Sequence, residues 1–494
     1  MSAIEEQVRQ NWIKWALDAI SKSQQDYQRF EDYYAGDHTL EFATDKWVST
    51  FGSKFEEFSD NWCQVVVDSV VQRLEIIGWK SEDTKADSKK AEQIWDDNEC
   101  GIEAEDVHTQ SLVKGDSYIM VWPDPDTDED DTPQLYYNDA MEVTIYYDPA
   151  NRRRIARAAK KFNDEKGQAH LYLYFPDKTE KYFVPAQATA DQIAAFQMGM
   201  TTLQDLPAGW YKESPDVLNP YGVIPVFHFR NRSMGGTHGL SELKSVIPVQ
   251  NAINKMLMDM MVGSEFGSFR QKWVAGGGHP KEGWRVGGDR VWATTDSGAK
   301  FGEFGQIDLE PIFKAVEVLV GHVAKITQTP MHYLRSSGDV PSGEALKTAE
   351  SGLVKKCMQR QKIWGHTWAR AMGLAFRIQT GSYPKSPIYP VWKSPETRHD
   401  LEQGQVAQLK SILGIPLTKL WSEHFGYTEE EIAQFEKDNR ALVASVLADV
   451  IAQVGQLPPG TEQVTATPQQ LIDLLSQANS VGNADPGKGP DISQ

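Results

Sequence analysis

The acidic run PDPDTDEDD (Pro123–Asp131) sets Asp124, Asp126 and Asp128 at the first, third and fifth places of a calcium loop. Such a loop also needs glycine at its sixth place for the turn and a bidentate glutamate at its twelfth. This chain has Glu129 and Leu135 there, so the run reads as a solvated turn. GGGHPKEG (Gly276–Gly283) has the glycines of a phosphate cradle, but a P-loop continues Gly-Lys-Ser/Thr into a helix. His279 and Pro280 follow the glycines instead, among strand-like residues. SMGGTHGL (Ser233–Leu240) has neither that ending nor the spacing of a dinucleotide loop. No HExxH occurs among the 11 histidines, and no GxSxG nucleophile turn occurs anywhere. No catalytic residue, metal ligand or cofactor is therefore expected. The chain has carboxylates in plenty, but their spacing points to no nuclease-like set.

The elements around these stretches carry more information. The chain has 494 residues, enough for several domains, and its 40% hydrophobic content allows a large core. Fifteen tryptophans suit both cores and subunit interfaces, since indole is large and keeps one polar N–H. Acids outnumber bases 69 to 50, a formal charge of −19. That balance favours solubility and disfavours passive nucleic-acid binding, which depends on cations that displace counterions. Cys63, Cys100 and Cys357 are too sparse for a disulfide framework or a zinc site and fit a reducing compartment. The start, MSAIEEQVRQNW, has no apolar segment of a signal peptide, and no run approaches the roughly 18 apolar residues of a membrane span.

Periodicity divides the chain. Residues 3–34 read as a polar helix, and DNWCQVVVDSVVQRL (Asp60–Leu74) as a helix that Asp60 could cap, with Trp62, Val66, Val70 and Leu74 on one face. Residues 105–230 hold short β-branched and aromatic runs bounded by Pro, Asp and Gly: Ser117–Asp124, Glu142–Pro149, Ala169–Pro176, Glu180–Pro185 and Ile224–Asn231. They predict an antiparallel β-rich subdomain, with a short helix at Asp191–Met200. Residues 241–269 are helical, with a start or kink at Pro248 and a stripe of Ile253, Met256, Leu257, Met260 and Met261. Residues 270–307 are glycine-rich and carry Trp273, Trp284 and Trp292. In 311–328, Ile312, Val316, Leu319, Val323 and Ile326 step as a short heptad seam behind Pro311. A Gly/Pro segment follows. Then Ser342–Thr380 reads as one helix of roughly 60 Å, with Leu346, Leu353, Cys357, Trp364, Trp368, Met372 and Ala375 on one face. His399–Val454 is helical again, with turns at Pro416 and Gly426, and the tail from Gly455 has a disordered composition apart from a short helix at Thr467–Gln477.

YYAGDHTLEFAT (Tyr33–Thr44) with FEEFSDNWCQVVVDSVVQRLEIIGW (Phe55–Trp79), and the order of helix, glycine-rich insert, helix, Pro-containing loop and long helix from Gly239 to Gly381, resemble the portal proteins of tailed bacteriophages, of the siphophage type. The resemblance covers about residues 1–450. It implies an α+β portal-type subunit: 1–240 an N-terminal wing, 241–269 the first stem helix, 270–307 a small β-rich clip, 308–328 the second stem helix, 329–343 a tunnel loop, 344–398 the long wing helix and its return, and 399–454 a helical crown; the tail 455–494, disordered by composition, lies beyond the resemblance.

The resemblance also implies a function. Portals are rings of about twelve copies at one capsid vertex, through which double-stranded DNA passes during packaging and ejection. Expected partners are further copies of the chain, the DNA, the terminase motor, a head–tail adaptor and the major capsid protein, with no membrane and with assembly in the host cytoplasm. Met331, His332, Tyr333, Leu334, Arg335, Gly338, Asp339 and Pro341 would line the narrowest part of the channel. Trp273, Trp284, Arg285 and Trp292 would meet partners at the clip, and the Ile312–Ile326 seam would pack against its copies. A ring would carry a formal charge of roughly −230, which suits a duplex that must slide. The competing expectation is an enzyme, a metal-dependent nuclease or another DNA-processing phage protein. A head–tail adaptor would be shorter than this chain.

Overall fold

The polar N-terminal segment forms α1 (Ala3–Ala35) in the computed structural model. Its buried residues Ile13, Ala16, Ile20 and Tyr27 share one helix face. The structure describes residues 3–39, 41–43, 45–51, 58–123, 132–184, 210–232, 235–268, 272–276, 296–303, 308–334, 343–396, 400–421, 427 and 431–438. The chain divides into two compact units, Met1–Thr397 and Arg398–Gln494.

In the first unit α2 (Asp45–Phe51) and α3 (Trp62–Val71) follow α1. The cap of α3 is Asn61, whose Oδ1 accepts from the Gln64 amide at 3.2 Å; the sequence points to Asp60, one residue early. β1 (Ile76–Lys80), α4 (Lys85–Asp97) and α5 (Cys100–Lys114) come next. The β-rich expectation for 105–230 therefore begins too early. α5 hides from periodicity because His108 and Ser111 share its buried face with Val107 and Leu112.

Eight strands follow: β2 (Asp116–Pro123), β3 (Pro133–Asn138), β4 (Val143–Tyr147), β5 (Ile155–Asn163), β6 (Ala169–Tyr174), β7 (Lys178–Val184), β8 (Tyr211–Leu218) and β9 (Val226–Arg230). They form two antiparallel sheets, ordered β3-β2-β9 and β4-β5-β6-β7-β8. β2 is buried on both faces, which explains its unbroken apolar run. Tyr118 and Met120 meet Val143, Ile145 and Ala158 of the larger sheet, while Ile119 and Val121 face the helices. β3, β5 and β8 escape the sequence reading. The buried residues of β5 are Ala158 and Ala159, and β8 holds Pro215, tolerated because β8 is an edge strand. Asp191–Met200 lies outside the described residues.

The rest of the unit is α6 (Ile247–Ser268), β10 (Lys272–Ala275), β11 (Lys300–Glu303), α7 (Glu310–Thr327), α8 (Met331–Leu334), α9 (Gly343–Thr380) and β12 (Tyr389–Trp392), which pairs with β1. α6 starts at Ile247, so Pro248 sits in the first turn and begins the helix rather than kinking it. α9 lays Leu353, Cys357, Trp364, Trp368, Met372 and Ala375 into the core; Leu346 is half-buried. Trp364 stacks on His108 at 4.9 Å, and Trp368 Nε1 donates to His108 Nε2 at 3.0 Å. Burial pushes the His108 pKa down to about 3, so the ring is neutral and free to accept that bond. All three cysteines are free and buried.

The second unit contains α10 (Asp400–Ile412), α11 (Leu417–Leu420) and a helical stretch at 431–438. Gly414, at φ 84°, and Pro416 form the expected turn between α10 and α11. Gly426 and the tail 455–494 lie outside the described residues.

Candidate functional site

α6 and α7 pack against each other and run in opposite directions, because the C-terminal part of α6 meets the start of α7: a Cβ on Gly263 would sit 3.0 Å from Leu309 Cδ2. Pro311 occupies the first turn of α7, and Asp308 Oδ1 accepts from the Glu310 amide at 3.0 Å. Burial in the pair fades along its length. Thr327, at the body end of α7, is 2% exposed, and Phe313, near the other end, is 54% exposed. At that exposed end the chain forms the antiparallel β10–β11 pair, with Trp273 opposite Gly302. The indole lies over the glycine so closely that a Cβ there would be 2.5 Å from Trp273 Cζ2. Trp273 still remains 38% exposed. Trp284, Arg285 and Trp292 lie outside the described residues.

The apolar seam of α7 faces its own chain. Val316 and Val323 are buried in the core, and Leu319 packs against it half-buried. Val320, Ala324 and Thr327 join this buried face, whereas Ile312 is half-buried and Ile326 is 42% exposed. A second apolar set, Phe313, Val318 and Ile326, stands exposed.

Two buried polar assemblies hold the root of the helix pair. Glu242, just before α6, meets Arg360 Nη2 at 2.5 Å and Lys356 Nζ at 2.8 Å, both from α9. Asn231 and Arg232 complete the group at 3.0 and 3.3 Å. Lys356 also donates to the Thr327 carbonyl at 3.2 Å, so one cluster ties the beginning of α6 and the end of α7 to α9. Burial opposes ionisation of Glu242, but Lys356, Arg360 and Arg232 outweigh it and hold the carboxyl down to about 2. The second assembly is an amide ladder on α6. Gln250 accepts from the Trp62 amide at 2.9 Å, Asn251 Oδ1 accepts from Tyr33 Oη at 2.8 Å, and Asn254 Nδ2 pairs with His38 Nδ1 at 2.7 Å. Sequence reasoning missed these groups because their partners are remote in the chain. The available signal was Lys356 and Arg360, spaced by four beside the apolar face of α9.

The segment expected to be a loop from residue 329 begins as structure. Gln328 ends α7 at φ 59°, and Thr327 Oγ1 donates to Thr329 Oγ1 at 2.9 Å. Met331, His332, Tyr333 and Leu334 form α8. Leu334 is buried, Met331 packs against the core, His332 Nε2 lies 3.3 Å from Glu350, and Tyr333 Oη accepts from Arg73 Nη2 at 2.6 Å. Arg335, Gly338, Asp339 and Pro341 lie outside the described residues.

A buried Asp–His pair has the look of catalytic equipment but a structural connectivity. Asp116 accepts from His228 Nε2 at 2.6 Å, from the Gly239 amide at 2.6 Å and from Tyr27 Oη at 2.9 Å. Burial works against its charge, and His228 with His238 overrides that and holds the carboxyl below the ordinary range. These bonds tie α1, β2, β9 and the lead into α6 together. The approach is tight: a Cβ on Gly239 would lie 1.9 Å from the Gly115 carbonyl oxygen. Among the described residues no group of three or more His, Cys, Asp or Glu side chains could hold a metal ion, and no helix is long and apolar enough to cross a membrane.

A mixed α+β body bearing a helix pair with an exposed hairpin end, rooted in structural ion pairs, has the frame of an assembly subunit. Residues 13–443 match the family described as phage portal protein, SPP1 Gp6-like, and the chain belongs to that family. It is 25% identical over 437 residues to a portal protein of Mycobacterium phage L5, covering 82% of this chain and 84% of that one. It is 26% identical over 358 residues to a portal protein of Mycobacterium phage D29, covering 68% of each. Membership makes the chain a structural component of a bacteriophage head and does not favour the nuclease alternative.

Proposed function

We propose that the protein assembles into a ring of about twelve copies at one capsid vertex and gives double-stranded DNA a channel during packaging and ejection. α6 and α7 are the stem around that channel, and β10, β11 and the residues between them are the clip that docks the terminase motor and later the head–tail adaptor. The stretch 329–343 narrows the channel, with α8 as its fixed shoulder and Arg335, Gly338, Asp339 and Pro341 as its inner part. The body before α6 and the long helix α9 form the wing, beside the major capsid protein, and 399–454 form the crown. In this reading the protein has no catalytic step and no cofactor, and it assembles in the host cytoplasm. The observation that carries it is the α6–α7 pair, rooted through Glu242 and progressively exposed toward the β10–β11 end. Negative-stain images of the purified protein test it: closed rings with a central hole are expected, and a monomer that cleaves DNA with a divalent metal would overturn it.

A further inference from the structure

We propose that the acidic corner between α4 and α5 of one subunit seats in a basic cleft of the next copy, head to tail. This deepens the ring reading above and rests on it.

The cleft lies between β5, β9, α9 and the segment before β12, with a volume of about 610 Å³. Ile155, Ile224, Leu374 and Tyr383 make its apolar floor. Arg153, Arg154, Arg370 and Lys385 line it as well, and no Asp or Glu does. None of these four cations has a carboxylate partner among the described residues; the described side-chain bond of Arg370 goes to Thr367 Oγ1 at 3.5 Å. In a chain with 69 acids and 50 bases, four cations gathered in one cleft with no carboxylate partner among the described residues suit an anionic partner such as a second copy of the chain.

The corner is the complement. From Gln93 to Asp106 the chain has no Lys or Arg. Asp96, Asp97, Glu99, Glu105 and Asp106 are exposed there, and Ile102 stands among them 68% exposed. Glu99 holds φ 49°, a conformation that a residue with a β-carbon resists, and its carbonyl accepts from the Ile102 amide at 3.0 Å. Strain of this kind persists where the surroundings impose it, and it clusters at functional surfaces. An apolar knob ringed by acids matches an apolar floor ringed by bases: the knob supplies the buried anchor and the charges set register. A phosphate backbone would leave the floor unmatched, which favours a protein surface over DNA.

The two surfaces sit at opposite edges of the β3-β2-β9 sheet. At the β3 edge the Leu135 amide donates to Asn98 Oδ1 at 2.9 Å and the Tyr137 amide to Glu103 Oε2 at 2.7 Å, so the corner caps that edge. At the β9 edge Trp364 Nε1 donates to the Arg230 carbonyl at 3.0 Å and Thr367 Oγ1 to the His228 carbonyl at 3.4 Å, one turn before Arg370. Complementary patches on opposite flanks make a heterologous contact, the kind that closes into a ring.

Charge reversal tests the pairing in the full-length protein. One variant carries Arg153→Glu with Arg370→Glu, a second carries Glu99→Arg with Asp106→Arg, and a third carries all four; ring fraction is read by sedimentation velocity and protomer folding by thermal melting. All four side chains are exposed, so the melts are expected to match wild type. Each single-surface variant is expected to lose at least about tenfold in ring fraction, and the four-fold variant to return to within about twofold of wild type. Unchanged rings in either single-surface variant, or no recovery in the combined one, would overturn the pairing. So would loss of short-duplex binding with rings intact in the cleft variant, which would make the cleft a phosphate site. Wild-type protein that forms no rings at all would instead sink the ring reading itself.

Discussion

A carboxylate buried against two buried cations has to be charged for its surroundings to be tolerable. Glu242, Lys356 and Arg360 are in that position, with side chains only 2%, 1% and 3% exposed. Glu242→Gln leaves two cations without their counter-charge, and breaking such a pair from one side costs about 3–5 kcal/mol. The pH dependence has a definite sign. The carboxyl is held at about 2 in the folded chain against an ordinary value of 4.5. The stabilisation is therefore complete above about pH 4.5 and is lost as pH falls toward 2. Urea unfolding of wild type and Glu242→Gln at successive pH values should show a gap that is constant near neutrality and narrows across that window. A gap that stays flat from pH 4.5 to 2 would mean the ionised carboxylate is not its source.

At the scale of elements, α7 shows where a sequence can be read and where it cannot. Its existence, its Pro311 start and its apolar character follow from period and composition. Its orientation does not. The heptad steps through Ile312, Val316, Leu319, Val323 and Ile326 drift from the buried face, which runs through Val316, Val320, Val323, Ala324 and Thr327. A helix with apolar residues on more than one side gives no sign of which side its own chain will claim. The same limit hid β5, whose burial falls on alanines, and α5, which buries a histidine and a serine. β2, β4, β6, β7 and β9 were legible because β-branched and aromatic residues fill them between turn formers. The root of the α6–α7 pair was not, because Glu242 and its partners on α9 are brought together only by the fold. The corrected orientation separates two substitutions. Val316→Asp buries a charge in the protomer's core and should lower its melting temperature sharply, at a cost of several kcal/mol. Val318→Asp, at a position 59% exposed, should leave the melt within about 0.5 kcal/mol of wild type and reduce ring formation. Intact rings carrying Val318→Asp would show that the exposed side of α7 does not face a neighbour.

The charge of the whole molecule bears on how a ring could let DNA move. Each chain carries a formal −19, so a ring of about twelve approaches −230. Duplex affinity arises mainly from cations that neutralise phosphates and release counterions, and each such contact steepens the dependence on salt. A conduit works against firm contacts of this kind, because every phosphate held is a phosphate that must be let go. Several of the cations that the structure gathers are already matched by carboxylates of the same chain, such as Lys356 and Arg360 on Glu242 and Arg73 on Glu350. Within 329–343, Arg335 is offset by Asp339. Assembled rings should therefore bind a short naked duplex weakly at physiological salt, with a shallow salt slope. Fluorescence anisotropy of a labelled duplex across a salt series measures both. Arg335→Ala should leave ring formation unchanged and alter only retention of DNA or the packaging rate. Tight binding that collapses steeply between low and physiological salt would instead describe a clamp lined with several phosphate contacts per ring, and the free-sliding account of the channel would fail.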